Sequence, residues 1–353
     1  MASSLLEIEN LTVDFATEDG IVHAVGGVSL TVAPGQMVGV VGESGSGKSV
    51  SMLTVMGLTR AGNASISGVA RFDGRNLLEL PTEELRKIRG NEIAMIFQDP
   101  LSSLHPFYKV GTQLVEAILT HREMPKSEAR RHAVDLLRQV GIPDPEERVN
   151  AYPHEFSGGM RQRAMIAMAL SNNPKVLIAD EPTTALDVTV QAQILDLIAR
   201  LQRERGMAVI LITHDLGVVA EHADEIAVMY AGKIVEQAAT DVIFDAPEHP
   251  YTWGLLQSIP RLDRPRDEPL VPIPGRPPSL ISLPHGCSFH PRCAYVRDRH
   301  RRVEPGLEPT PDQNGHLVAC LLEPETRRQL WAELKSGKLP DEVRATVPLK
   351  DSA

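Results

Sequence analysis

The chain has 353 residues, 42% hydrophobic and 23% charged, with a formal net charge of -10. That length and composition suit one or two globular domains whose core is large enough to need no disulfide staples. The acidic balance argues against nonspecific binding to nucleic acid or to an anionic membrane, while docking to a membrane protein stays open. Apolar runs such as residues 207–212 are strand-length, far short of the roughly 20 residues of a membrane span. Residues 1–7 lack the basic-then-apolar order of a secretory signal. Three cysteines, Cys287, Cys293 and Cys320, an odd count without such a signal, read as thiols of a reducing compartment.

Residues 6–15 alternate in strand fashion, and residues 28–32 form a second strand-like run closed by the turn Pro34-Gly35. Residues 37–41 are continuously apolar, as in a sheet buried on both faces. A glycine-rich loop follows, then a helical pattern over residues 48–58. Further strands are expected at 93–97, 176–179 and 207–213, and helices over about 110–140 and 157–170. Helical segments separate the last two strands, which favours an α/β fold with a parallel sheet. Prolines crowd residues 246–291, marking a linker or a small irregular domain. The charged tail from residue 323 is expected to hold one short helix and then fray.

The segment Gly42-Glu43-Ser44-Gly45-Ser46-Gly47-Lys48-Ser49 matches GxxxxGK[ST] and lies between a strand and a helix, the context that confirms a phosphate loop. Its glycines let backbone N–H groups turn toward phosphate oxygens, and the helix start adds open donors. Lys48 is expected on the β and γ phosphates and Ser49 on Mg²⁺. In the run Val176-Leu177-Ile178-Ala179-Asp180-Glu181 the carboxylates emerge where a parallel sheet places its ligands. Asp180 is the candidate Mg²⁺ holder and Glu181 the candidate to polarise water. His214 and Gln98 follow two other strands on the same edge. His214 is a candidate donor to the γ phosphate, and Gln98 a candidate sensor of Mg²⁺ and water; each also fits an ordinary turn residue.

Phe156-Ser157-Gly158-Gly159-Met160 resembles the signature LSGGQ of ABC ATPases, with phenylalanine for leucine and methionine for glutamine. The resemblance implies a P-loop, RecA-like ABC nucleotide-binding domain over residues 1–245, with an antiparallel β subdomain and a helical subdomain at about 100–170. It implies that Ser157, Gly158 and Gly159 bind the ATP of an opposite subunit, so that the site is completed by dimerisation. Met160 removes a side-chain amide but leaves the backbone donors. Gln98 then resembles the Q-loop glutamine, His214 the switch histidine and Ala185-Leu186-Asp187 the D-loop. Phe15 lies where the family has an aromatic that stacks on adenine, though a buried strand phenylalanine is an equal reading.

His249-Pro250-Tyr251-Thr252, Gly286-Cys287-Ser288-Phe289-His290-Pro291-Arg292-Cys293 and Gln98-Asp99-Pro100-Leu101-Ser102-Ser103-Leu104-His105-Pro106 resemble the oligopeptide/dipeptide importer branch, the first two in its C-terminal extension, here 246–353. That branch implies an ATPase powering peptide import from the cytoplasmic face of the membrane. Its implied partners are a second ATPase subunit, usually a different one, two permeases and an external binding protein, with no nucleic acid. Other cargoes of the branch, nickel and sugars, stay open, as does a soluble ABC ATPase acting on nucleic acid or ribosomes. Relatives carry four cysteines in the extension and some hold an iron–sulfur cluster. Here the third position is His300, so Cys287, Cys293, His300 and Cys320 read as a [4Fe-4S] set, a zinc set, or three packed thiols with no metal.

Overall fold

The computed structural model describes residues 4–99, 103–184, 186–259, 272–311 and 315–351. In chain order the elements are β1 (Leu6–Thr17), β2 (Gly20–Val32), β3 (Met37–Val41), α1 (Lys48–Val55), β4 (Ala64–Phe72), β5 (Arg75–Asn76), α2 (Thr82–Ile88) and β6 (Ile93–Ile96). Helices α3 (Val110–Leu119), α4 (Lys126–Gln139), α5 (Pro145–Arg148) and α6 (Gly158–Ala169) follow. Then come β7 (Val176–Asp180), α7 (Val188–Arg205), β8 (Ala208–Thr213), α8 (Leu216–Ala220), β9 (Glu225–Tyr230) and β10 (Lys233–Ala239). The chain closes with α9 (Thr240–Asp245), α10 (Pro250–Gln257), β11 (Glu308–Pro309), β12 (Leu317–Val318), α11 (Pro324–Lys335) and α12 (Pro340–Thr346).

Two sheets form, in the orders β2-β1-β4-β5 and β11-β12-β10-β9-β3-β8-β7-β6. The first is antiparallel. In β1 the buried residues are Leu6 and Ile8, then Leu11 and Val13. The register shifts between Ile8 and Leu11 against β2 and between Glu9 and Thr12 against β4, and the apolar face moves by a residue there. In the second sheet β6, β7, β8, β3 and β9 run parallel. Their alternate side chains serve two cores. Met37, Val41, Leu177, Ala179, Val209 and Leu211 face the helices. Val38, Val40, Val176, Ile178, Ile210 and Ile212 face the antiparallel sheet. A strand with apolar neighbours on both faces has no polar alternate, which is why these runs are continuously hydrophobic.

The helical stretch expected over 110–140 is two helices, because Pro125 cannot continue a helix and instead stands before α4. In α4 the buried residues Ala129, Ala133, Leu136 and Leu137 recur at one-face spacing. The second strand begins at Gly20, well before the expected residue 28, and the tail holds two helices where one was expected. Residue 246 onward is largely irregular, yet it is not detached. Strand β12 pairs antiparallel with β10, setting Val318 opposite Glu236. The Glu236 side chain is fully buried and takes the imidazole of His316 at 2.9 Å and the N–H of His249 at 3.2 Å.

A third core lies within this C-terminal segment and is built on Trp253 with Tyr295, Leu322, Leu330, Leu334 and Val343. The indole N–H of Trp253 donates to the Pro247 carbonyl at 2.8 Å, and its ring meets Tyr295 edge-on with centroids 5.6 Å apart. Replacing Trp253 with alanine is expected to cost about 3–5 kcal/mol in denaturant unfolding, since the Tyr295 ring and the Pro247 carbonyl both lose their partner. A loss below about 1 kcal/mol, the range of a tolerated repacking, would show that this core does not hold the segment.

Candidate active site

Because β3, β6, β7 and β8 are parallel, their C-terminal ends share one edge. The residues leaving that edge are the phosphate loop after Val41, Gln98 just beyond Ile96, Glu181 after Asp180, and His214 after Thr213. The topology therefore gathers groups scattered over more than a hundred residues of sequence, at the place where open parallel sheets bind ligands.

The loop needs glycine for space as well as for turning. A Cβ on Gly42 would stand 2.1 Å from the Met229 carbonyl oxygen, and one on Gly47 would stand 2.4 Å from that of Ala24. Gly47 also has φ 97° as the residue before α1, with no side chain capping the helix. The first N–H groups of α1 are thus left open to an anion. Ser44 and Gly45 lie exposed at the tip, and Ser46 is buried beneath.

Lys48 is buried. Its ammonium donates to the carbonyls of Gly42 (2.6 Å) and Glu43 (2.9 Å) and to Ser46 Oγ (3.3 Å). Burial pulls its pKa below the ordinary lysine value, and the carboxylates of Glu181, Asp180 and Glu43 oppose that pull. Ser49 Oγ donates to Asp180 Oδ1 at 2.8 Å. Asp180 is buried, which raises its pKa; the Ser49 bond and Lys48 act against the rise, while Glu181 adds to it. Two hard oxygen donors, one of them a buried carboxylate, form a pair that fits Mg²⁺.

Glu181 has a left-handed backbone, φ 45°, an arrangement that costs a residue with a Cβ about 1–3 kcal/mol. Its surroundings hold it there. The backbone N–H donates to Ile212 O at 3.0 Å. Oε2 accepts Gln98 Nε2 at 2.9 Å and Thr184 Oγ1 at 2.8 Å, and Oε1 stands 3.5 Å from His214 Nδ1. The structure thus unites Lys48, Ser49, Gln98, Asp180, Glu181 and His214. Gln98 reaches the cluster through its bond to Glu181. Thr184 was not singled out by the sequence; its signal is a hydroxyl three residues after the carboxylate, a reach that a turn closes.

Ser157, Gly158 and Gly159 stand apart from this cluster. Phe156 is buried and anchors the turn, and Ser157 caps α6 by accepting the Met160 N–H at 3.3 Å. Ser157 and Gly158 are exposed. A Cβ on Gly158 or Gly159 would meet only Leu186 and Val190 within 4 Å, at the start of α7 and not in the phosphate loop. Asp187 caps α7 through the Val190 N–H at 3.0 Å; its neighbour Ala185 lies outside the described residues. Phe15 sits on β1 between Val22 and Ala64, half-buried against the core of the antiparallel sheet.

The family model for ABC transporters matches residues 25–184, and that for the oligopeptide/dipeptide transporter C-terminal region matches 235–299. The oligopeptide transport ATP-binding protein OppD of Haemophilus influenzae is 50% identical over 321 residues, which are 91% of this chain and 98% of that protein. The dipeptide transport ATP-binding protein DppD of Lactococcus lactis is 54% identical over 348 residues, 95% of this chain and 99% of that protein. Among solved structures, the ATP-binding cassette MJ0796, dimeric and bound to ADP and Pi, aligns with a TM-score of 0.60 and 29% identity, covering 67% of this chain and 98% of that one. The chain belongs to the ABC-transporter ATP-binding family, oligopeptide/dipeptide branch.

As a member of the ABC family the chain binds ATP. The cysteine set is different. Among the described residues, no three His, Cys, Asp or Glu side chains stand together as metal ligands. Cys287, Cys293 and Cys320 are free. Burial pushes all three thiols up, Cys320 to about 12. His300 Nδ1 accepts the Arg297 N–H at 3.3 Å, which leaves the ring proton on the buried Nε2, a donor and not a ligand. The charged neighbours of His300 are Asp351, Arg297 and Arg299, and His316 turns to Glu236. Among the described residues no ligand group is assembled from Cys287, Cys293, His300 and Cys320, so neither the iron–sulfur nor the zinc reading finds support.

Proposed function

We propose that this chain is the ATP-hydrolysing subunit of an importer of di- or oligopeptides, peripheral on the cytoplasmic face of the cell membrane. The observation that carries the proposal is Glu181, held by Gln98 and Thr184 beside His214 and one residue from the Asp180–Ser49 pair. The cargo rests on the names of the relatives, oligopeptide and dipeptide transport ATP-binding proteins. The absence, among the described residues, of any helix long and apolar enough to cross a membrane fits a subunit that docks on permeases.

In this reading the phosphates of ATP lie on the open N–H groups of the loop and of α1. Lys48 exchanges its carbonyl partners for the β and γ phosphate oxygens. Ser49 and Asp180 would hold Mg²⁺, which supplies charge neutralisation on the phosphates. Glu181 orients a water in line with the γ phosphate and accepts its proton, and His214 donates to the γ phosphate. Gln98 and Thr184 keep the Glu181 carboxylate aimed. Ser157 and Gly158, which are exposed, and the half-buried Gly159 would cap the ATP of a second ATPase subunit, a heterodimer partner in this branch. Two permeases and an external binding protein complete the assembly, and closure and reopening of the ATPase pair drive it.

The purified chain alone is therefore expected to hydrolyse ATP slowly. Adding the partner ATPase is expected to raise turnover by about 10²-fold, the value of preorganised backbone donors on transferring charge. Phosphate release against protein concentration checks this. Full turnover by a strict monomer would overturn the shared site.

A further inference from the structure

The phosphate loop is gripped from outside the nucleotide-binding core. Arg292, from the C-terminal segment, meets the loop residue Glu43 with both terminal nitrogens, Nη1 to Oε2 at 2.6 Å and Nη2 to Oε1 at 3.0 Å. Its Nε donates to Pro274 O at 2.8 Å, and Nη1 lies 3.4 Å from Tyr230 Oη. The guanidinium sits over the rings of Tyr230 and Phe289, 5.7 and 6.0 Å from their centroids. Its side chain is only 4% exposed, against 30% for Glu43. Tyr251, at the start of α10 and fully buried, accepts the Glu43 backbone N–H on its hydroxyl at 2.9 Å. One residue of the loop is thus fixed at both its side chain and its backbone by the segment beyond residue 246.

The chemistry of this contact bears on the ligand. Glu43 puts a carboxylate into a loop whose task is to hold a polyphosphate. Unpaired, that charge would repel the ligand, and the low-dielectric surroundings would strengthen the repulsion. A bidentate guanidinium cancels it and, being planar, also sets the orientation of the carboxylate. A tether between two parts of a protein has no need of a loop carboxylate; a buried cation two aromatic rings deep, placed on that one residue, is an arrangement aimed at the loop.

We infer that Arg292 is a positioning residue for nucleotide binding, neutralising Glu43 and, with Tyr251, coupling the C-terminal segment to the phosphate loop. This rests on the reading of residues 42–49 as the nucleotide loop. Any rearrangement of the Cys287–Cys293 turn that carries Arg292 is then felt as a change in nucleotide affinity. Burial alone would lower the Arg292 pKa, but its hydrogen bonds to Glu43 and Tyr230 outweigh that and hold it above the ordinary value, so the cation persists at every working pH.

The test uses the full chain and titrates Mg-ATP by calorimetry, with a thermal melt of each variant. Arg292→Gln is expected to weaken binding by about tenfold, and Arg292→Gln with Glu43→Gln to return it to within about threefold of the parent, because the exposed carboxylate is gone. A purely structural tether would leave the double variant as weak as the single one, which overturns the inference. Unchanged affinity in Arg292→Gln also overturns it. Should Arg292→Gln not fold, Arg292→Lys serves: it keeps the charge without the fork, so affinity is expected to fall by about threefold, and unchanged affinity counts against the inference. Failure of the parent chain to bind Mg-ATP would instead overturn the nucleotide-loop reading itself.

Discussion

Replacing Glu181 with glutamine is expected to cut ATP turnover by about 10²–10⁴-fold, the range of a positioned general base, while ATP stays bound. The structure makes this variant a clean one. Glutamine keeps an oxygen that can accept from Gln98 Nε2 or Thr184 Oγ1, and it keeps the shape that fits the left-handed backbone at φ 45°. What it loses is the capacity to take a proton. It also removes a negative charge that faces Lys48 and Asp180, so affinity for the anionic nucleotide is expected to hold or rise. Phosphate release measured beside ATP titration separates the two effects. Turnover equal to the parent's would remove Glu181 from the chemistry.

Lys48→Ala is expected to act on the other axis. Its ammonium is buried and is bonded to two carbonyls and a hydroxyl of its own loop. These bonds keep the charge satisfied within the loop. Removing the cation leaves a nucleotide phosphate with no buried positive partner, and loss of one member of such a charge pair costs about 2–5 kcal/mol. At about 1.4 kcal/mol per factor of ten, binding should weaken by well over tenfold, measured by ATP titration. Weakening of less than about threefold would mean that the backbone donors carry the phosphate by themselves.

The candidate site was legible because its parts follow strands that cannot be mistaken. β3, β7 and β8 are buried on both faces, so their sequences are unbroken apolar runs, and each ends in a group with a recognised task. Strands with mixed burial were harder. β4 reads Ala-Ser-Ile-Ser-Gly-Val-Ala-Arg-Phe and buries only Ala70 and Phe72, so its polar and glycine positions hide the alternation. β10 carries Glu236 and Gln237 in its buried middle. Two polar residues inside a strand look like surface until their partners, His316 for one and Glu225 for the other, are in view. The same limit applies to the site. Glu43 was counted only as a spacer within the motif, because its partner Arg292 comes 249 residues later, and no local pattern links them. The cysteine spacing left its alternatives open for the opposite reason. The residues lie near one another in sequence, but a ligand set requires ring and thiol orientations that spacing does not contain.

The pairing of β12 with β10 has a practical consequence for anyone who would reduce the protein to its nucleotide-binding part. A chain ended after α9 would leave the outer side of β10 as a row of unsatisfied N–H and C=O groups, the template on which sheets of different molecules join edge to edge. It would also strip the His316 imidazole from Glu236, leaving that side chain without this partner on the bare strand. The boundary drawn by sequence motifs is thus not a line along which the molecule can be cut: the last strands of the main sheet are supplied by the segment that the cut discards.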